Sequence, residues 1–216
     1  MKKRWKITLL VLGVLVIILV IVSVLTWTYL KSTFFDFEGD YVEKTYFSEL
    51  KSNGESFFDR NNNGKLDIYE NNNEPIENRV SDALSQMTIE EKLHLLKGSG
   101  ISSAIDSDYS PTAIPGAVGT IVATPRLGLP TIYLSDGPAG LRIKPTREGS
   151  DRTYFATAFP IGTQLASTWN TDLVYRVGQA MGSEARSYGV DVILGPGANI
   201  HRHPFCGRNF EYFSED

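Results

Sequence analysis

The chain opens with a long apolar run. No charged residue lies between Ile7 and Leu30, and a helix of that length covers about 36 Å, enough to cross a hydrocarbon core of about 30 Å. The pattern predicts a transmembrane helix. A cleaved signal peptide is the alternative, but the run exceeds the usual apolar core of such a peptide and no Ala-x-Ala site follows it. Trp27 and Tyr29 also stand where an interfacial aromatic belt is expected.

From Pro75 onward the apolar residues recur at helical spacing, which predicts a first helix. Its periodic positions are Val80, Leu84 and Met87. The sequence Thr88-Ile-Glu-Glu91 is a capping box, so a second helix is predicted to start there. In that helix we expect Leu93 and Leu96 to face inward and Gly98 to end it.

Farther along the chain, short apolar runs flank one amphipathic stretch. Residues 120–123, 131–134 and 190–194 are predicted strands, and residues 172–188 are a predicted helix. Asn170 or Thr171 is expected to cap this helix, and Gly189 suits its end. Polar motifs follow the strands directly, at Ser135-Asp136 and after Leu194. This order predicts an α/β fold.

Charge is unevenly distributed, although the net value is only −4. The basic residues Lys2, Lys3, Arg4 and Lys6 precede the apolar run, so the remainder is acidic. An acidic body argues against nucleic acid as a partner. The basic end is expected to stay in the cytoplasm, which predicts a single-pass cell-membrane protein with an extracytoplasmic body. Cys206 has no second cysteine to pair with, and we expect it to fill a small packed site.

Several ordered motifs follow one another between Pro75 and Asp216. They are Ser135-Asp-Gly-Pro-Ala-Gly-Leu-Arg142, Ala156-Thr-Ala-Phe-Pro160, Ala166-Ser-Thr-Trp-Asn170, Gly182-Ser-Glu-Ala-Arg186 and the run from Gly195 to Asp216. Together they resemble the N-terminal domain of glycoside hydrolase family 3, the β-glucosidases and β-xylosidases. The resemblance implies a (β/α)8 barrel of the TIM type. A whole barrel takes about 250 residues, more than the 216 of this chain, so we expect only its first few units, a truncated form.

Three side chains are candidate sugar ligands. The resemblance implies that Asp136 accepts hydrogen bonds from hydroxyls of the sugar cleaved, and that Arg142 and Arg208 contact substrate. The residues alone leave other roles open: an Asp before Gly often caps a turn, and each Arg can form a structural ion pair, with Glu211 or Glu184 as partner.

No catalytic residue is predicted in the chain, because the resemblance implies that the nucleophile and the acid/base lie farther along. The expected function is therefore the N-terminal part of a membrane-anchored retaining exo-β-glycosidase of the β-glucosidase type. Such an enzyme hydrolyses terminal non-reducing β-D-glycosyl residues of a β-glucoside or related oligosaccharide and needs no cofactor. The alternative is a non-catalytic membrane-anchored surface protein that binds carbohydrate or calcium. A zinc site at His201, His203, Cys206 and Glu211 is disfavoured, because no usual zinc spacing is present.

A second motif, which lies before Pro75, indicates calcium binding. The run Asp59-Arg-Asn-Asn-Asn-Gly-Lys-Leu-Asp-Ile-Tyr-Glu70 fits the EF-hand loop pattern at every position. Its calcium ligands are expected at Asp59, Asn61, Asn63, Lys65 (by its carbonyl), Asp67 and Glu70. An Asn/Gly turn without helical flanks is the alternative. We therefore expect a basic tail and anchor over 1–30, a polar stalk with this loop over 31–74, and the barrel portion over 75–216.

Overall fold

The apolar run forms one long helix in the computed structural model, which describes residues 2–35, 41–52, 54–98, 114–147 and 149–214. This helix, α1 (Lys2–Leu30), continues into a short π-helical segment, Lys31–Phe35. Every side chain from Trp5 to Leu30 is exposed. Within the described ranges, α1 is the one helix long and apolar enough to cross a membrane.

The region predicted as a polar stalk is folded over much of its length. Strands β1 (Ser48–Ser52) and β2 (Glu55–Asp59) form an antiparallel hairpin. Residues Ile68–Glu70 form a 3-10 turn, which places Tyr69 in a core cluster with Met87 and Leu127. The many Asn residues of this region obscured the alternating burial along β2, in which Phe57 and Asp59 are buried and Phe58 between them is exposed.

Two short helices follow, α2 (Ile76–Gln86) and α3 (Ile89–Lys97). The capping box is confirmed, because the Glu91 amide donates to Thr88 Oγ1 at 3.2 Å and the Thr88 amide donates to Glu91 Oε2 at 2.9 Å. Gly98 ends α3 with a positive φ of 70°.

The predicted inward face of α3 is wrong. Leu93 is 57% exposed and Leu96 is 86% exposed, whereas Leu95 packs against the cluster of Tyr69, Met87 and Leu127. One contact accounts for the face that α3 turns toward the core. The guanidinium of Arg126 donates to both carboxylate oxygens of Glu91, at 2.9 and 2.6 Å, and this contact holds the first turn of α3 against the 3-10 turn at Pro125–Leu127.

A three-stranded sheet carries the second half of the structure. Strand β3 (Gly119–Ile121) runs antiparallel to β4 (Ile132–Asp136), and β4 runs parallel to β5 (Val192–Leu194). The connection between the parallel strands contains α4 (Gly162–Ala166) and α5 (Thr171–Tyr188). The α/β class and the strand positions are as predicted, but β3 departs from an all-parallel barrel.

The crossover helix α5 begins and ends as its sequence predicts. Asn170 is the cap, since its Oδ1 accepts the Leu173 amide at 3.0 Å. Gly189 adopts a left-handed φ of 75° after the last turn. Behind the sheet, Ala185 of α5 packs in a second core cluster with Ile114, Ala117, Leu141 and Val190. This packing fixes the orientation of β4 and β5.

Candidate functional site

The polar motifs that follow β4 and β5 lie at one edge of the sheet. Asp136, the last residue of β4, pairs in register with Leu194, the last residue of β5. Gly195 then passes so close to the next loop that a Cβ there would lie 3.0 Å from Pro138 Cα. Since parallel strands end at a common edge, the polar motifs that follow the two predicted strands meet there.

The loop after β4 folds back on itself. The backbone carbonyl of Asp136 accepts the Arg142 amide at 3.0 Å, and Gly137 and Gly140 take φ values of 145° and 128° that L side chains rarely adopt. As a result the carboxylate of Asp136 lies 3.7 Å from Arg142 Nη1. Both side chains are mainly at the surface, with Asp136 43% exposed and Arg142 76% exposed.

Arg208 reaches the same neighbourhood from a later segment. Strands β6 (Gly197–Ile200) and β7 (Tyr212–Ser214) pair in parallel, and between them Arg208 precedes the 3-10 turn Asn209–Glu211. The hydrogen bond from Arg208 to Glu211 raises the pKa of the guanidinium, and the charge of Asp136 adds to this rise. The ion pair with Glu211 foreseen as an alternative is therefore present, and it leaves the Arg208 side chain 70% exposed.

Two residues support this loop in ways that the sequence did not indicate, and Glu184, named above as a possible partner of an arginine, contacts Thr157 instead. Ser135 is fully buried, and its hydroxyl contacts the Arg142 amide and carbonyl, each at 3.2 Å, which closes the loop. Glu184 of α5 accepts the amide and the hydroxyl of Thr157, at 3.0 and 3.1 Å. The Thr157 carbonyl in turn packs against Gly140. A small polar residue directly before Asp-Gly was the available signal for Ser135, while the contact of Glu184 spans too many residues to show in the sequence.

Of the residues considered for a zinc site, His203 and Cys206 lie in an exposed turn, whereas His201 is half-buried with its ring 6.0 Å from that of Tyr212. His203 Nδ1 accepts the Phe205 amide at 3.2 Å, and its ring packs 5.4 Å from that of Phe205. The expectation that Cys206 fills a packed site is wrong, because its side chain is exposed. Its backbone amide donates to the His203 carbonyl, so the turn holds this residue at the surface.

The EF-hand-like loop is the other candidate site, and its ends are buried. Asp59 is 3% exposed and Glu70 is 6% exposed. The two oxygens of Asp59 accept the amides of Asn63 and Gly64 at 3.0 and 2.9 Å. Gly64 has the positive φ, 75°, that the sharp turn of such loops requires. A strand precedes the loop and a 3-10 turn ends it, in place of the two helices of an EF-hand.

Comparison with known proteins matches about two thirds of the chain to one family. Residues 124–216 match the profile of the glycosyl hydrolase family 3 N-terminal domain. A β-glucosidase of Bacteroides ovatus is 43% identical over 155 residues, and thermostable β-glucosidase B of Acetivibrio thermocellus is 41% identical over 142 residues. Among solved structures, β-glucosidase 3B from Thermotoga neapolitana in complex with glucose aligns with a TM-score of 0.59 and 54% identity.

The matches cover much of this chain and little of the relatives. They span 69% of the chain and 18% of the Bacteroides protein, 63% and 16% for the Acetivibrio protein, and 63% and 19% for the Thermotoga structure. The chain therefore spans less than a fifth of the length of these relatives.

Proposed function

Since residues 124–216 belong to the N-terminal domain of glycosyl hydrolase family 3, we propose that they form the sugar-contacting part of a retaining exo-β-glycosidase site of the β-glucosidase type. The observation that carries the proposal is the grouping of Asp136, Arg142 and Arg208. Asp136 ends β4 beside Arg142. Arg208 pairs with Glu211, whose backbone carbonyl packs against Gly197, two residues after the Gly195 that meets the loop following β4. Three charged side chains from two loops thus lie beyond the same ends of β4 and β5.

The chemistry of these groups suits a sugar ring. A carboxylate accepts hydrogen bonds from hydroxyl groups, and a planar guanidinium donates several in fixed directions. The ion pairs with Asp136 and Glu211 hold the guanidinium groups in place while leaving them mainly exposed. We propose a terminal β-D-glucosyl residue as the ligand. Support comes from the Thermotoga neapolitana relative, which was solved with glucose.

The proposed role is binding and not bond cleavage. Retaining hydrolysis uses two carboxyl groups about 5–5.5 Å apart, one as nucleophile and one as acid/base. Asp136 and Glu211 each face a guanidinium, which suits a carboxylate that orients donors better than one that takes up a proton. We therefore assign neither as catalytic, and the nucleophile and acid/base of the proposed enzyme lie outside this segment.

Replacement of Asp136 tests the binding role. We expect the full chain in detergent to bind D-glucose, followed by calorimetry or ligand-observed NMR, and Asp136→Asn to weaken binding about tenfold or more, because a charged acceptor contributes about 1.5–3 kcal/mol. The matched control is Asp172→Asn, an exposed residue in the first turn of α5, which should bind as the unmodified chain does. Equal weakening by both variants contradicts the proposal.

A second measurement separates binding from catalysis. With an aryl β-glucoside as substrate, we expect no release of the aryl group above the rate in buffer alone. Hydrolysis by the chain that disappears in Asp136→Asn would overturn the assignment of roles, although the family membership would stand.

We further propose that α1 anchors the protein in the cell membrane, with the basic end in the cytoplasm and the remainder outside. Support comes from its length of 29 residues and from its exposed apolar side chains. Exposing so many apolar side chains to water is costly at about 25 cal/mol per Å², whereas a bilayer solvates them. The basic residues in the first turns of the helix, ahead of the apolar run, favour the cytoplasmic side.

Membrane fractionation tests the anchor. Expressed in a bacterial host, the chain is expected to stay in the membrane pellet after alkaline carbonate washing, and a form that starts at Lys31 is expected in the soluble fraction. Protease added to spheroplasts should digest the region after α1. Recovery of a shortened soluble form from the full chain would show cleavage and so contradict the anchor.

A further inference from the structure

The loop from Asp59 to Glu70 concentrates three carboxylates, and N–H groups of the loop, not a cation, meet their oxygens. In the described ranges, Asp59, Asp67 and Glu70 have no ion pair with a lysine or arginine. Of the two basic residues in the loop, Lys65 is exposed and Arg60 points elsewhere, since its Nη1 donates to the Gly128 carbonyl at 3.2 Å. Buried carboxylates are normally paired with a cation or bound to a metal, so two of them that are more than nine-tenths buried point to a missing cation.

The polar side chains of the loop converge on one place. Asn61 and Asn63 both donate their side-chain amides to the same oxygen, Asp67 Oδ2, at 2.6 and 2.8 Å. Each oxygen of Glu70 accepts one backbone amide. The amide of Arg60, near the start of the loop, donates at 2.6 Å, and the amide of Asp67, near its end, donates at 3.1 Å. Amide protons thus fill the positions where a cation would neutralise these oxygens.

We propose that this loop binds one Ca²⁺ ion and that the ion fastens the hairpin β1–β2 to the family 3 segment. The ligands are the side chains of Asp59, Asn61, Asn63 and Glu70, the carbonyl of Lys65, and Asp67 through a water molecule. This set supplies the six to eight oxygens that Ca²⁺ takes. The described carboxylates do not by themselves gather three acidic groups around one point, so the amide and carbonyl oxygens are essential to the site.

The ligand chemistry favours Ca²⁺ over Mg²⁺ and sets the range of affinity. Mg²⁺ demands a nearly ideal octahedron and keeps several waters, whereas a flexible loop with a bidentate glutamate suits Ca²⁺. Two neutral Asn ligands lower the charge of the site, and we expect a Kd of about 10⁻⁴–10⁻³ M, as in extracellular modules.

Contacts at both ends of the loop connect the ion to the rest of the fold. Arg60 bonds to Gly128, and the hydroxyl of Tyr69 donates to the Leu127 carbonyl at 3.2 Å. The Tyr69 amide also donates to Asp82 of α2 at 2.9 Å. Ordering of the loop by Ca²⁺ is therefore expected to stabilise the domain and not the loop alone.

Calorimetric titration of the chelator-treated full chain in detergent with CaCl₂ alone tests the site. We expect one ion per chain. At a Ca²⁺ concentration ten times the Kd, binding adds about 1.4 kcal/mol, so Tm should rise by about 3–6 °C. Glu70→Gln, which removes the bidentate charge, should weaken binding at least about tenfold. The control Glu77→Gln, an exposed residue in the first turn of α2, should leave binding unchanged.

Because Glu70 is buried, Glu70→Gln can also disturb folding, and Asn63→Ala serves as a second variant at an exposed ligand position. We expect it to fold and to bind Ca²⁺ several-fold more weakly. No heat of binding at 10 mM, on the order of ten times the expected Kd, an equal response to MgCl₂, or full binding by Asn63→Ala and Glu70→Gln would each overturn the proposal.

Discussion

Gly137→Ala is expected to abolish glucose binding and to destabilise the fold by more than about 4 kcal/mol. A Cβ at this position would lie 1.5 Å from the Gly140 carbonyl oxygen, and the φ of 145° is one that alanine rarely adopts. The obstacle is backbone, so no side chain can rotate away from it. The loop must therefore open, which separates Asp136 from Arg142. Thermal unfolding and a glucose titration of the same sample measure both effects.

The matched control is Gly178→Ala. Gly178 lies within α5, and a Cβ there would meet nothing within 4 Å. Since alanine favours a helix over glycine by about 0.5–1 kcal/mol, this variant should have an equal or higher Tm and unchanged glucose affinity. A Gly137→Ala protein that melts and binds glucose as the control does would show that the loop does not need its observed shape.

Leu127→Ala is expected to reduce the free energy of unfolding by about 3–5 kcal/mol, as for other buried leucines whose removal leaves a cavity. Leu127 is 0% exposed and packs between Tyr69 and Met87. Its carbonyl also accepts the Tyr69 hydroxyl, so the residue connects the region before α2 to the family 3 segment. Chemical denaturation measures the loss, and the slope with denaturant shows whether the transition stays cooperative.

Leu96→Ala is the matched control, because the same side chain is deleted at a position that is 86% exposed. Its effect is expected within about 0.5 kcal/mol, the usual range for surface changes. An equal loss of stability in the two variants would mean that Leu96 and Leu127 are buried to a similar extent, which would contradict the described packing of α3.

Local signals in the sequence predicted the elements well. The capping box of Thr88 and Glu91 and the start and end of α5 at Asn170 and Gly189 were confirmed. These features depend on residues three to four positions apart, and backbone groups at helix ends must find such partners wherever the helix lies. The order of strand, helix and strand likewise predicted an α/β fold, and β4 and β5 run parallel on either side of α5.

The failures concern contacts between residues far apart in the chain. The spacing of Leu93 and Leu96 showed an apolar stripe, but the ion pair of Glu91 with Arg126 set which face of α3 meets the core. The Asn-rich composition hid the burial of Tyr69, which depends on Leu127. The exposure of Cys206 follows from a turn that composition does not reveal.

By itself the sequence determined the family match of residues 124–216, the apolar helix α1, the residue types at the proposed sugar and calcium sites, and the caps of α3 and α5. Only the tertiary structure decided that β3 runs antiparallel to β4, that Asp136 faces Arg142 while Arg208 pairs with Glu211, and that the loop of Asp59 is fastened at Gly128. The division has one physical reason. Helix and turn propensities act over a few neighbouring residues, whereas burial and ion pairing depend on which distant segments the folded chain brings together.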